Sequence, residues 1–520
     1  MNNPRPRFVG TTLLLAAALM ARVAYLETIP GVSGDEAWYG VQMGRVQAGQ
    51  SYETRTPTGL PLNPFYAWWE APLLMVANPA PWILRAPAVV SSILAIVVAS
   101  RLLRSPLGSF EAMLITLSLA VLPVALDFSR IGWDQSQAAL FGILAFAFAL
   151  RAQPIALLLS FYAFLWVHPA NVFALPAASA TFLAAAWTRW PKRRMWVLAG
   201  TIAGTLLMVG MARNGNTQPR FLAEPDAWFS PGRWFENLIL MGRIVSGESF
   251  IECHVGPIEP GARLIRATST AAFLAILCLV GVSKLGRERS WIRLSLVLGT
   301  LASVLGVILA VDPSALAPKT ERYTVGLTAP IAVSIGCLIA AVLPKAEPFR
   351  GWALAGFWAF AWIPLADFSV NFLGRTLRTG GDSHAAFWAG PIEPKQAAVR
   401  RILSDLPEIP PVARSGVDPR HLVVTEDWWT TMPVMFFKQG PTDRLRLLEA
   451  PANDEDRLRD CRKFLNMGAY LIGYSDGPLS RTMDENFRPD QIVRWETPRY
   501  GGRPGVIIYR RISGDSAGDD

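Results

Sequence analysis

The stretch Trp82–Ser100, which reads WILRAPAVVSSILAIVVAS, decides the fold class of this chain. It contains a single charge, Arg85, close to one end. A helix of about 20 apolar residues crosses the ~30 Å hydrocarbon core of a bilayer, so this stretch predicts a membrane span. Similar stretches predict about eleven spans, near residues 8–26, 82–100, 112–128, 135–150, 154–168, 170–187, 195–212, 267–283, 291–311, 323–343 and 351–373.

The distribution of charge divides the chain into two parts. Of its 520 residues, 52% are hydrophobic and only 17% are charged, whereas soluble domains carry about 25% charged residues. Residues 1–374 hold 28 Lys+Arg and 19 Asp+Glu, and residues 375–520 hold 21 of each. The net charge of +9 therefore lies in the apolar part. It is better explained by membrane topology than by nucleic-acid binding, and we expect no nucleic-acid partner.

The positions of the cations predict an orientation. With the N-terminus in the cytoplasm, the inner loops carry 15 Lys+Arg and three acids, and the outer side of residues 1–374 carries 13 and 16. This bias follows the positive-inside rule. Because eleven spans is an odd number, the C-terminal region is expected outside. We predict that the chain is a bacterial inner membrane protein and that the lipid bilayer is one of its partners.

The predicted domains are a membrane domain (1–374) with a long outer loop (27–81), a linker (375–394) and a soluble extracytoplasmic domain (395–520). In the soluble domain, apolar runs predict strands at His421–Thr425, Leu445–Leu448, Ala469–Tyr474, Ile492–Trp495 and Val506–Tyr509, alternating with helices such as Glu455–Asn466. This alternation indicates a small α/β domain with a largely parallel sheet. Cys253 and Cys461 are both expected outside, and the sequence leaves open whether they pair.

The outer loop contains an acidic pair, Asp35-Glu36, within the sequence GDEAWYG that starts at Gly34. By local physics, Asp35 could be the N-cap of a surface helix, with Glu36 favourable in its first turn. The same carboxylates could be catalytic, and spacing alone does not choose between the two readings.

Several motifs together resemble the GT-C class of membrane glycosyltransferases. They are Arg22, Asp35–Tyr39, Pro61–Pro64, Leu84–Pro87, Phe128–Arg130, Glu321–Tyr323 and Thr328–Pro330. The likeness is strongest to the branch of protein O-mannosyltransferases and lipid A aminoarabinose transferase. It implies a mostly α, polytopic GT-C fold. It also implies transfer of a sugar from a polyprenyl-phosphate carrier to an acceptor hydroxyl at the outer face.

The resemblance implies roles for individual residues. Asp35 would be the general base that takes the acceptor proton, and Glu36 would support this site or orient the acceptor. The donor phosphate would be bound by cations at the outer ends of spans: Arg130, Arg322, Arg85 and Lys319. In the structural alternative, these cations extend to the membrane–water interface or form ion pairs with acidic side chains. The sugar or acceptor pocket would be lined by Tyr39, Tyr323 and Asn63. No metal or other cofactor is expected, since His168 and His254 lack partners at ligand spacing.

Three rival functions remain at this point. A lipid or sugar transporter would normally carry polar residues at the middle of its spans, which this sequence lacks. An inactive scaffold of the same fold would not need the Asp35-Glu36 pair. An oligosaccharyltransferase-like enzyme would normally show a metal-binding acidic motif and a peptide-recognition motif. The expected acceptor is an envelope glycan, a glycolipid or a protein hydroxyl.

Overall fold

The computed structural model describes residues 5–57, 62–213, 222–256, 258–317, 321–343, 349–379, 394–406, 421–438, 445–497, 499–500 and 503–512. The chain is mostly helical, with a small C-terminal sheet.

Up to residue 379 the described chain is helical. Its α-helices are Arg5–Val23, Gly34–Gln47, Pro64–Val76, Pro81–Leu102, Arg104–Leu107, Ser109–Val121, Pro123–Phe128, Ala138–Leu150, Pro154–Val167, Leu175–Arg189, Arg194–Arg213, Pro231–Val245, Glu248–Val255, Pro260–Arg287, Trp291–Ala310, Thr328–Val342, Phe349–Asp367 and Arg375–Thr379. Short 3-10 segments include Asp134–Gln137, Pro169–Ala174 and Glu321–Leu327, and Phe368–Gly374 is a π-helix.

Within the described residues, four helical stretches are long and apolar enough to cross a membrane: Pro81–Leu107, Pro169–Arg189, Trp291–Ala310 and Tyr323–Val342. Shorter apolar helices occupy Thr11–Val23, Ser109–Val121, Asp134–Leu150 and Pro154–Val167. All eight coincide with predicted spans. The count of eleven and the orientation stay predictions.

Proline explains why one predicted span is broken. The stretch 112–128 is divided into Ser109–Val121 and Pro123–Phe128, with Leu122 at ψ 122° between them. A proline cannot donate to the preceding turn, and it disfavours a helical conformation for the residue before it. The chain therefore bends at Leu122 and directs Asp127 and Arg130 towards the first helix, where Arg130 makes its contacts.

The soluble domain has five main strands. They are β1 (His421–Thr425), β2 (Leu445–Glu449), β3 (Tyr470–Tyr474), β4 (Ile492–Glu496) and β7 (Val506–Arg511), with a separate two-stranded ribbon of β5 (Arg499–Tyr500) and β6 (Arg503–Pro504). The helices are Lys395–Asp405, Trp428–Phe437, Asp454–Asn466 and Pro478–Asn486. The predicted strands are confirmed to within one or two residues at each end.

The prediction of a largely parallel sheet is wrong for half of the pairings. The sheet order is β2-β1-β3-β7-β4, in which β2, β1 and β3 are parallel and β7 is antiparallel to both of its neighbours. Parallel strands need a crossover of a dozen or more residues. Only the short ribbon of β5 and β6 lies between β4 and β7. This connection is too short for a crossover, so β7 runs antiparallel to β4.

The C-terminal domain, predicted to be soluble, packs on the predicted outer loop. Val32, Ala37 and Val41 of the loop share one hydrophobic cluster with Val399, Ile402 and Phe436 of the domain. The helix Trp428–Phe437 lies against the helix Gly34–Gln47. The loop is therefore enclosed between the membrane domain and the soluble domain.

The two cysteines predicted outside form no disulfide with each other. Cys253 and Cys461 are buried thiols that belong to separate hydrophobic clusters.

Candidate active site

The helix that carries the acidic pair is capped by Ser33. Its side chain accepts from the Glu36 N–H at 3.2 Å, while Glu36 Oε2 accepts from the Ser33 N–H at 2.9 Å. This capping box satisfies two backbone donors at the start of the helix. The reading of Asp35 as the N-cap is wrong, because Asp35 lies inside the first turn.

Asp35 lines a small pocket of about 60 Å³. The other lining residues are Trp38, Tyr39, Thr56, Pro57, Trp133, Asp134, Gln135, His168 and Tyr323. Asp35 and Tyr39 are four residues apart in one helix, a spacing that puts them on the same face. Asp35 is half-buried, so its carboxylate is partly desolvated but still reachable. The structure thus brings together three predicted site residues: Asp35, Tyr39 and Tyr323.

Tyr39 lines the pocket and packs against Tyr66, which lies outside it. The ring of Tyr39 lies 5.1 Å from that of Tyr66, and Tyr39 is almost fully buried. Burial first, and the Asp134 carboxylate second, raise the pKa of Tyr39 well above its ordinary value of 10.0. The Tyr39 hydroxyl therefore keeps its proton and can act as a hydrogen-bond donor near Asp35.

His168 and Asp134 complete the pocket. The His168 ring is 5.2 Å from that of Tyr323, and its Nδ1 accepts from the Ala170 N–H at 3.1 Å. With Nδ1 as acceptor, a neutral imidazole carries its proton on Nε2. Sequence reasoning considered His168 only as a metal ligand and did not assign Asp134 to the site. The available signal was that each lies at the predicted outer end of a span.

Glu36 lies behind the pocket in a buried ion pair. Arg85 Nε is 3.1 Å from Glu36 Oε1, and both side chains are essentially unexposed. Gly132 N–H also donates to Glu36 Oε1 at 2.6 Å. A Cβ at position 132 would stand 2.6 Å from the Leu84 carbonyl oxygen, so glycine is required for this close approach. Glu36 is therefore a buried carboxyl group with a charged partner, and its role in the site stays a prediction.

Arg85 and Arg130 brace the turn after the first helix. Arg85 donates to the carbonyls of Leu26 and Pro30 at 2.7 and 2.8 Å. Arg130 donates to the carbonyls of Ala21 and Ile29 at 2.6 and 3.1 Å. Both guanidinium groups are fully buried. Their predicted contact with a donor phosphate stays a prediction, and it would require them to exchange these partners.

The remaining predicted residues are placed as follows. Asn63 is buried outside the Asp35 pocket, where it caps the helix Pro64–Val76 and donates to Gln137 at 3.1 Å. Arg322 belongs to the 3-10 helix Glu321–Leu327, which leads directly into the pocket at Tyr323. Lys319 lies outside the described residues. Their roles in binding stay predictions.

Sequence reasoning also missed Glu70. It is fully buried, and both of its carboxylate oxygens lack a hydrogen-bond partner among the described residues. Burial first, and the charge of Glu36 second, raise its pKa well above 4.5. The available sequence signal was that Glu70 follows Tyr66 by four positions, which places both side chains on one face of a helix.

No metal site is evident in the part of the chain that the structure describes, where no three His, Cys, Asp or Glu side chains are placed to share an ion. The expectation that no metal is required stays a prediction.

Comparison with known proteins finds solved structures only. No known protein family matches the chain, and no curated protein does. The oligosaccharyltransferase of Archaeoglobus fulgidus, in the apo form, is 11% identical over 90% of this chain and 70% of its own, with a TM-score of 0.47. The same protein tethered to an acceptor peptide containing the NVT sequon matches at 12% over 89% and 68%, with a TM-score of 0.49.

A second neighbour is ArnT from Cupriavidus metallidurans, bound to undecaprenyl phosphate. It is 13% identical over 97% of this chain and 98% of its own, with a TM-score of 0.42. Both neighbours are GT-C glycosyltransferases, the class that the sequence motifs resemble.

Proposed function

We propose that the protein is a membrane glycosyltransferase that moves a sugar from a polyprenyl-phosphate carrier to an acceptor hydroxyl at the outer face. One observation carries the proposal: the half-buried Asp35 opens into a pocket with Tyr39, Asp134, His168 and Tyr323. A carboxylate surrounded by hydrogen-bonding rings suits general-base chemistry on a hydroxyl substrate. The pocket lies at the end of the apolar stretch Pro169–Arg189, where a lipid-linked substrate would present its headgroup.

The reaction needs one proton transfer and one displacement. The acceptor oxygen attacks the anomeric carbon as Asp35 takes the hydroxyl proton. The bond between that carbon and the phosphate oxygen breaks, and the phosphate leaves with the electron pair. A phosphate is a good leaving group, so it needs cations more than a proton donor. Arg322 and Lys319 are the proposed cations, with Arg130 and Arg85 available if their present contacts open.

The aromatic residues would orient the sugar. Tyr39 keeps its proton because of burial, and it can donate to a sugar oxygen or to the Asp35 carboxylate. Tyr323 and His168 form the facing wall. Aromatic faces with polar edges are suited to holding a sugar ring.

The donor is proposed to be lipid-linked and not a nucleotide sugar. On the predicted topology the Asp35 pocket is extracytoplasmic, whereas nucleotide sugars are made in the cytoplasm. The sequence also lacks a glycine-rich phosphate loop in the soluble domain. The proposed location is a bacterial inner membrane, and the proposed acceptor is an envelope glycan, a glycolipid or a protein.

The proposal is tested with purified protein and two radiolabelled donors, an undecaprenyl-phosphate sugar and the matching nucleotide sugar. We expect transfer from the lipid donor only. Asp35→Asn should reduce turnover by at least about 100-fold, within the range of general-base catalysis, and should leave donor binding intact. Tyr162→Phe, a half-exposed tyrosine outside the pocket, serves as the control and should retain full activity.

Four outcomes would contradict the proposal. Transfer from the nucleotide sugar without a lipid carrier would overturn the donor. Full activity of Asp35→Asn would overturn the base. Translocation of the lipid donor across liposomes without any transfer would favour the transporter alternative, and binding without either activity would favour an inactive scaffold.

A further inference from the structure

A second cavity lies between three helices of the membrane domain: Pro154–Val167, Leu175–Arg189 and Arg194–Arg213. Its volume is about 560 Å³, and it shares no residue with the Asp35 pocket. The wall is mainly apolar and includes Leu157, Phe161, Leu175, Phe182, Val197 and Met208. We call it the three-helix groove.

Polar groups inside the groove are already satisfied. The hydroxyls of Ser179 and Thr205 hydrogen-bond to each other at 3.0 Å. Thr201 bonds back to the Val197 carbonyl at 2.7 Å. The interior therefore offers a hydrocarbon surface and no unmet hydrogen-bonding need, which suits an acyl chain better than a sugar.

The length of the groove corresponds to one leaflet. On the helix Arg194–Arg213 its lining runs from Trp196 to Met208, about 18 Å at ~1.5 Å per residue. Half of a ~30 Å hydrocarbon core is about 15 Å. A lipid chain that enters at the Trp196 end would therefore reach roughly the middle of the bilayer.

The mouth of the groove is strongly cationic. Arg193 lines it, beside Trp190 and Trp196. The segment Trp187–Val197 holds four cations and no acid. Two of them are engaged: Arg189 donates to the Arg151 carbonyl, and Arg194 lies over the Trp187 ring. Lys192 and Arg193 are exposed, so their charges are available to an anionic headgroup.

The mouth of the groove and the Asp35 pocket lie at opposite ends of one apolar stretch. His168, which lines the Asp35 pocket, immediately precedes the apolar stretch Pro169–Arg189, and Arg193 follows it. This stretch has 21 residues, or about 32 Å of helix. The phosphate of a donor bound at Asp35 would therefore lie about one membrane thickness away from Arg193.

We propose that the three-helix groove binds an anionic phospholipid, with one acyl chain inside it and its phosphate at Arg193 and Lys192. On the proposed topology this lipid comes from the cytoplasmic leaflet, and it is distinct from the sugar donor. The inference rests on the membrane placement given under Proposed function and is independent of the reaction. Each cation near such a headgroup strengthens binding by about fivefold.

The role of the cations at the mouth of the groove is tested by native mass spectrometry of the purified full chain. Phosphatidylglycerol and phosphatidylcholine with identical acyl chains are titrated separately. We expect phosphatidylglycerol to bind more tightly, and Arg193→Gln to weaken it about fivefold without changing phosphatidylcholine. Arg101→Gln, an exposed cation outside the groove, is the control and should have no effect.

The role of the apolar wall is tested by a substitution that fills the groove with a side chain. A Cβ on Gly200 meets no atom within 4 Å, so Gly200→Phe should fold with its ring in the cavity and should abolish saturable binding of phosphatidylglycerol. Gly210→Phe is the matched control, because Gly210 lies on the same helix, has the same open space and does not line the groove.

The proposal is overturned by any of three results. The first is equal binding of the two phospholipids to the wild type. The second is equal loss of binding in Gly200→Phe and Gly210→Phe. The third is displacement of phosphatidylglycerol by undecaprenyl phosphate at equal concentration, which would make the groove part of the donor site. Donor transfer that continues in Gly200→Phe would leave the proposed function standing whatever the lipid result.

Discussion

Glu70 shows how burial sets the charge of a single residue at this site. Its carboxyl lies on the inner face of the helix Pro64–Val76, close to Tyr66 and to the charge of Glu36. A buried carboxylate without a partner is costly, so the protonated form is favoured. Glu36 differs because Arg85 Nε lies 3.1 Å from its carboxyl group. The loop therefore buries one carboxyl group beside a cation and another whose oxygens have no hydrogen-bond partner among the described residues.

This difference predicts the pH dependence of stability. The folded-state pKa of Glu70 is raised above 4.5 by burial and by Glu36. Its contribution to stability is therefore present below about pH 4.5 and is lost as pH rises towards the folded-state pKa. Glu70→Gln, which is neutral at every pH, should unfold at a higher temperature than the wild type at pH 8, with a smaller difference at pH 5.

The measurement is thermal unfolding in detergent at both pH values. Glu27→Gln is the control, because Glu27 is exposed in the same outer loop, and it should track the wild type. A Glu70→Gln variant that is less stable than the wild type at pH 8 would contradict a protonated Glu70.

At the scale of the element, the helix Gly34–Gln47 has to start at a defined residue for Asp35 to face the pocket. Ser33 determines this start through its capping box with Glu36, and its Oγ also accepts from the Trp133 indole N–H at 3.2 Å. The cap therefore ties the first turn of the helix to the wall of the pocket.

Loss of this cap should affect both stability and catalysis. Ser33→Ala removes the acceptor of two donors, and we expect it to lower stability by about 1–2 kcal/mol. Because the first turn then frays, kcat should fall more than the donor KM rises. Ser33→Thr retains the hydroxyl and should stay close to the wild type. Equal activity and stability of the Ala variant would show that the helix start is held by packing alone.

At the scale of the whole molecule, the soluble domain forms part of the enclosure of the site. Gly40 lies where three elements meet, and a Cβ there would stand 2.5 Å from Leu84 Cδ2 and 2.6 Å from the Phe436 ring. Leu84 belongs to the membrane domain and Phe436 to the soluble domain. The two domains therefore leave no room for a side chain at Gly40 in this arrangement.

Gly40→Ala should force these elements apart. Overpacking of this kind costs about 1–3 kcal/mol, and it should lower the unfolding temperature and the transfer rate together. Gly242→Ala is the matched control, because it lies in the helix Pro231–Val245 with open space at its Cβ. Alanine there should be neutral or stabilising by up to about 1 kcal/mol. A Gly40→Ala protein as stable as the Gly242→Ala protein would show that the domains are not closely packed.

Local patterns were sufficient for much of the fold and for part of the site. Apolar runs predicted the four long and four shorter apolar helices found among the described residues, and shorter apolar runs predicted the five main strands of the C-terminal sheet. The spacing of Asp35 and Tyr39 placed both on one helix face. These features depend on residues within a few positions of each other, so the periodicity of helix or strand is enough to predict them.

Only the tertiary structure determined which distant groups the side chains of the site contact. Arg85 reaches Glu36 across 49 positions, and Arg130 reaches the Ala21 carbonyl across 109. His168 and Asp134 join the Asp35 pocket from separate elements, and the return of β7 makes the sheet mixed. Charge and hydrophobicity do not specify which distant group will meet a side chain. That choice depends on how the helices pack and on which buried polar groups must be satisfied at once.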